Sequence, residues 1–136
     1  MTKETPKPRI TPLDKTFGAV VTDIQLDSID PAAFDGIYQA WLDHALLIFP
    51  QQHLDDNAQI AFAKRFGTLV EGLEAAEISN VKPDGSLRDA PEDDMKKIIR
   101  GNMHWHQDNT YMPLQAKGAV FSAKVVPKEQ GDTAFA

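Results

Sequence analysis

The chain has 136 residues and carries 14 Lys and Arg against 20 Asp and Glu, a formal net charge of −6, which fits one small domain or part of one. With 42% hydrophobic and 25% charged residues it has the apolar content to build a core, which excludes a disordered chain, while its dispersed basic residues argue against a nucleic-acid partner. Cysteine is absent, so disulfides, thiolate zinc sites and iron–sulfur clusters are excluded, and any metal must be held by His, Asp or Glu.

Residues 1–9 mix Pro, Thr and charged side chains with few apolar groups and predict a flexible arm that ends near Ile10. MTKETPKPR offers no apolar leader, and no later run reaches the roughly 20 apolar residues of a bilayer span, so the expectation is a cytoplasmic protein without a membrane partner. From Phe17 a β-rich run leads into the Ile24/Leu26 alternation of a half-buried strand. Asp30 is a natural N-cap with Pro31 at the first helical position. Phe34, Ile37, Tyr38, Trp41, Leu42 and Ala45 then recur at helical spacing and read as a core stripe. Leu46 to Phe49, closed by Pro50, predicts a strand buried mid-sheet. Asp55 or Asp56 caps a second helix that runs to Phe66 and ends at Gly67. Ile78 to Val81 reads as a strand, and Lys82-Pro83-Asp84-Gly85 as a hairpin turn. The charged run Arg88 to Lys97 predicts a solvated loop, placed as a lid would be, and Gly118 to Val126 predicts another strand.

The unusual chemistry is concentrated in Asn102 to Tyr111, which holds His104, His106 and Asp108, two of the four histidines among them. On a strand these three share one face, and neighbours there stand roughly 6–7 Å apart, close enough for a pair to converge on one ion. His104 and Asp108 stand about 13 Å apart on an ideal strand, so only one adjacent pair can chelate. An imidazole and a carboxylate in a His-x-Asp arrangement form the adjacent half of the two-histidine, one-carboxylate facial triad of non-haem Fe(II) oxygenases, which keeps positions open for co-substrate and oxygen.

Trp105 to Tyr111, Ala123-Lys124-Val125-Val126-Pro127 and Gly131-Asp132-Thr133 together resemble the TauD/TfdA family of Fe(II)/2-oxoglutarate-dependent dioxygenases. Leu46 to Phe49, Gln59 to Gly67 and Ile78 to Val81 extend the likeness over most of the chain from about Ile10. The resemblance implies that His106 and Asp108 are metal ligands and catalytic, that Thr133 hydrogen-bonds 2-oxoglutarate, and that Asn102 lines the substrate pocket. His104 matches no family ligand and is expected in the pocket wall. His44 and His53 match nothing that closes the triad. Thr68 to Leu73 contains no histidine where taurine-specific members hold the sulfonate, which places the sequence nearer the dichlorophenoxyacetate branch.

The implied fold is α+β: the N-terminal part of a double-stranded β-helix (jelly roll) with flanking helices, its C-terminal half absent. Residues 10–136 are then an incomplete dioxygenase domain, and the distal histidine and the arginine that faces 2-oxoglutarate are expected beyond Ala136. The implied cofactors are Fe(II) and 2-oxoglutarate, and the implied partners are O₂ and a small organic acid of phenoxyalkanoate, sulfonate or alkyl sulfate type, with a homo-oligomer left open. The alternatives are a truncated, catalytically inactive jelly-roll fragment serving as a binding or interaction module, and a mononuclear metal hydrolase. The hydrolase needs a general base that the sequence does not nominate.

Overall fold

A computed structural model describes residues 7–72, 74–129 and 131–136. The arm expected over residues 1–9 therefore lies outside the described residues for 1–6, and Arg9 already belongs to a strand. The described residues form two compact units, one drawn from Met1–Thr68 and Val120–Ala136 and the other Leu69–Ala119.

In the first unit, β1 (Arg9–Pro12) pairs antiparallel with β2 (Ala19–Thr22), with Ile10 opposite Val21. A short 3-10 turn (Leu26–Ser28) and the helix α1 (Pro31–His44) then carry the chain to β3 (Leu47–Ile48), which lies parallel to β2 and gives the sheet order β1-β2-β3. The cap of α1 is the one the sequence predicts: Asp30 Oδ1 accepts from the Ala33 N–H at 2.8 Å, and Pro31 needs no donor at the first helical position. The helix α2 (Asp56–Lys64) starts in the same way, with Asp55 Oδ1 accepting from Ala58 N–H at 2.8 Å.

The core gathers Val21, Ile24, Leu26, Phe34, Ile37, Leu54 and Phe62, with Ile37 and Val21 fully enclosed. Phe34, Phe62 and Phe66 meet edge-on, with ring centroids 4.9–6.2 Å apart, the arrangement their quadrupoles favour. The Arg65 guanidinium stands 4.3 Å over the Phe34 ring while donating to the Ile29 carbonyl at 2.7 Å. Two members of the expected stripe fall elsewhere. Leu42 is exposed, and Ala45 lies past the helix with φ of 62°, while Ala40 takes a buried place in the stripe.

The strand expected through Ile24 and Leu26 ends at Thr22, where Asp23 turns the chain at φ of 61° and Leu26 enters the 3-10 turn. Three further expected strands are corrected. Leu46 to Phe49 contributes only Leu47–Ile48, at the edge of the sheet and not its middle, and Ile48 is exposed. Ile78 to Val81 is reduced to one bridge, Val81 with Leu87, around the turn that was expected, closed by Lys82 N–H to Ser86 O at 2.8 Å. Gly118 to Val126 forms no strand. Its Val120 carbonyl instead accepts from Gln59 Nε2 at 3.1 Å, and Lys124 Nζ donates to Leu54 O and Asp56 Oδ1 at 3.0 and 2.9 Å. A strand needs a neighbour for its N–H and C=O groups, and these segments find local or side-chain partners.

In the second unit, the charged run expected as a loop contains the start of a helix, α3 (Asp94–Gly101). Asp93 Oδ1 caps it through Lys96 N–H at 3.0 Å, and Arg88 Nη1 pairs with Asp93 Oδ2 at 3.2 Å. Among the described residues no helix is long and apolar enough to cross a membrane.

Candidate metal centre

α3 delivers the chain into the His-x-Asp segment. Its last turn closes with Asn102 N–H on Ile98 O at 3.0 Å, and the backbone then leaves the helix through Met103 and His104. The strand expected here is absent: residues 102–112 run through turns, with Met112 N–H on Asn109 O at 3.0 Å and Asn109 in the left-handed region at φ of 57°. Asn tolerates that conformation better than most residues because its short side chain can hydrogen-bond locally. The strand premise therefore fails. The turn brings His106 Nε2 within 3.2 Å of Asp108 Oδ1.

The other ring nitrogen fixes what this pair can hold. His106 Nδ1 lies 2.7 Å from the His104 carbonyl oxygen, which can only accept, so Nδ1 carries the hydrogen. In the neutral ring Nε2 then offers a lone pair, and it faces a carboxylate oxygen. Two acceptors at that distance require a cation between or beside them, either a proton or a metal ion. Donors in adjacent positions of an octahedral first-row ion, each at about 2.1 Å, stand about 3.0 Å apart, close to the separation found. An imidazole nitrogen with a carboxylate oxygen and no sulfur suits Fe(II) or Mn(II), and a backbone carbonyl on the far ring nitrogen is the usual way of orienting a metal-binding histidine.

The remaining expected site residues are spread out. Asn102 is exposed at the end of α3, and Thr133 is exposed in the unit that contains Val120–Ala136. The His104 side chain is exposed, and its backbone carbonyl makes the contact to His106. Among the described residues no group of three His, Asp or Glu side chains could hold a metal, so the pair has no third protein donor there. Sequence reasoning missed the carbonyl of His104 and the left-handed Asn109, since neither a main-chain acceptor nor one backbone dihedral leaves a mark in residue type, apart from the turn preference of Asn. It also missed a cavity of about 240 Å³ lined by Asn80, Arg88, Asp89, Lys96, Ile99 and Arg100, because its charges reach one another only once α3 forms.

Residues 9–136 match the family described as taurine catabolism dioxygenase TauD, TfdA family. The chain is 60% identical over 128 residues to an (S)-phenoxypropionate/alpha-ketoglutarate-dioxygenase of Sphingobium herbicidovorans, a match covering 93% of this chain and 44% of that protein. It is 54% identical over 133 residues to the protein of the same name from Delftia acidovorans, covering 94% and 46%. The chain thus spans under half the length of these curated relatives. A crystal structure of AAD-2 in complex with Mn(II) and N-oxalylglycine superposes with a TM-score of 0.70 at 28% identity, over 79% of this chain and 38% of that one.

Proposed function

The chain belongs to the TauD/TfdA dioxygenase family, and from that premise we propose that it carries the His-x-Asp half of an Fe(II)/2-oxoglutarate-dependent dioxygenase. The enzyme hydroxylates a small organic acid in the cytoplasm while 2-oxoglutarate is decarboxylated to succinate. Among organic acids of phenoxyalkanoate, sulfonate or alkyl sulfate type, phenoxyalkanoates are the favoured substrates. Two relatives named for phenoxypropionate, at 60% and 54% identity, support that preference. So does the absence of histidine from Thr68 to Leu73. In this reading the three-stranded sheet opens a double-stranded β-helix, and the net charge of −6 with dispersed basic residues supports a small-molecule partner over nucleic acid.

The observation that carries the reading is the 3.2 Å approach of His106 Nε2 to Asp108 Oδ1, with Nδ1 held by the His104 carbonyl. His106 and Asp108 would hold Fe(II), and the third position of the triad is left to a group outside the described residues. Bound there with 2-oxoglutarate, Fe(II) supplies the O₂ activation that couples decarboxylation to hydroxylation of a C–H bond. The protein's part is orientation. The His104 carbonyl fixes the imidazole plane, the Thr133 hydroxyl donates to a 2-oxoglutarate carboxylate, and Asn102 lines the space for the organic acid. Mn(II) and N-oxalylglycine in the AAD-2 complex support a divalent metal and 2-oxoglutarate as the bound groups, since N-oxalylglycine repeats the oxo-acid and distal carboxylate of 2-oxoglutarate.

Succinate release from 2-oxoglutarate on addition of a phenoxyalkanoate and Fe(II), in a longer polypeptide that also supplies the third metal ligand, tests the reading. His106→Ala and Asp108→Ala are each expected to abolish it. An active Asp108→Ala would remove the metal assignment.

A further inference from the structure

We propose that the cavity of about 240 Å³ bounded by Arg88, Lys96, Arg100, Asn80 and Ile99 binds the carboxylate of the organic-acid substrate. Leu69–Ala119 contains six basic residues, Lys82, Arg88, Lys96, Lys97, Arg100 and Lys117, and three of the six line this one cavity. Lys96 and Arg100 stand four residues apart on α3, the spacing that puts like charges side by side on one helix face and makes them repel. Neither is neutralised. Lys96 Nζ donates to the main-chain oxygen of Asp89 at 2.6 Å, a neutral acceptor, and Arg100 makes no ion pair among the described residues. Arg88 is fixed in place by Nε on Ser79 O and Nη1 on Asp93 Oδ2, both 3.2 Å, so its charge is presented without a loss of side-chain freedom on binding.

The lining carries three cations against one carboxylate, Asp89, and keeps a net positive charge that favours an anion even with Arg88 paired to Asp93. The volume lies just under the roughly 300 Å³ at which ligand pockets usually begin, so it admits a small acid, and Ile99 gives that acid an apolar wall. The identity of the acid rests on the function proposed above. The existence of an anion site does not.

Calorimetric titration of the protein without metal, using (S)-2-phenoxypropionate, its neutral amide and 2-oxoglutarate as probes, tests the site. Saturable binding of the acid, none of the amide, and about tenfold or greater weakening in Arg100→Gln and Lys96→Gln are expected. Lys97→Gln removes the same charge from the same helix, but Lys97 pairs with Asp94 and does not line the cavity, so its affinity should match the parent's. Equal weakening in all three variants, binding of the amide as tight as the acid, or no saturable binding at all would overturn the site. Loss of 2-oxoglutarate binding in Arg100→Gln with phenoxypropionate unaffected would overturn the assignment to substrate. Succinate formation by a longer polypeptide that also supplies the third metal ligand reports on the dioxygenase reading separately, so either idea can fail alone.

Discussion

His106 is engaged at both ring nitrogens, by a carbonyl on one side and a carboxylate on the other, whereas the imidazole of its neighbour His104 makes no such contact among the described residues. Their substitutions should therefore separate. His104→Ala keeps the backbone carbonyl that orients His106, so in a longer polypeptide that also supplies the third metal ligand succinate formation is expected to stay within a few-fold of the unsubstituted form while His106→Ala has none. Equal loss in both would show that the His104 side chain takes part. Asn109 supplies the left-handed residue that turns the chain just after Asp108. Gly adopts φ of 57° freely and a β-branched residue does not, so Asn109→Gly should keep the Mn(II) affinity of the site while Asn109→Val loses roughly 1–2 kcal/mol of it, about tenfold. Unchanged affinity in the valine variant would mean that the turn does not aim Asp108.

Among the elements, α3 depends most on its cap. The Lys96 N–H on Asp93, and after it the Arg88 guanidinium, hold the Asp93 carboxyl below the ordinary aspartate range. Because the folded value is depressed, the stabilisation is present above the unfolded value of about 4 and is lost as pH falls through the lower folded one. Far-ultraviolet circular dichroism should show α3 intact at pH 5 and fraying below pH 4, and Asp93→Asn should move that transition. Gly18 is the second pressure point. It takes φ of 102° where β2 begins, and a Cβ there would lie 2.9 Å from Leu13 Cδ1. Gly18→Ala is expected to cost at least about 1 kcal/mol in urea unfolding. These elements also show what can be read from sequence. α1 and α2 were legible because cap, proline and apolar period agree at Asp30, Pro31, Phe34, Ile37 and Asp55. α3 was not: it buries no residue, so its charged surface reads as loop, and the Asp93 cap was the signal that could have found it. The strands beyond β3 failed because pairing depends on a neighbour that residue type does not announce. The His-x-Asp pair was legible because two residues apart in sequence leaves little room to separate in space.

For the molecule as a whole, the two ends of the described chain differ in how they use apolar side chains. Residues 19–62 enclose Ala19, Val21, Ile37, Ala40 and Phe62, whereas Met103, Trp105, Tyr111, Leu114, Val125 and Val126 are each at least 73% exposed. Large side chains left open to water in that number favour association, at roughly 25 cal/mol for each Å² of apolar surface they can bury. The polypeptide 1–136 produced alone should therefore self-associate, with mass rising over the micromolar range in light scattering and falling when Trp105 and Leu114 are both replaced by Ser. Catalysis should be missing from the same sample. His106 and Asp108 have no third protein donor among the described residues, so Fe(II) should bind weakly and 2-oxoglutarate should provoke no oxygen uptake in an electrode assay. A monodisperse monomer would show that these side chains fold onto one another in solution. Oxygen uptake on addition of 2-oxoglutarate would show that two protein ligands suffice, and the facial-triad account of this site would fall with it.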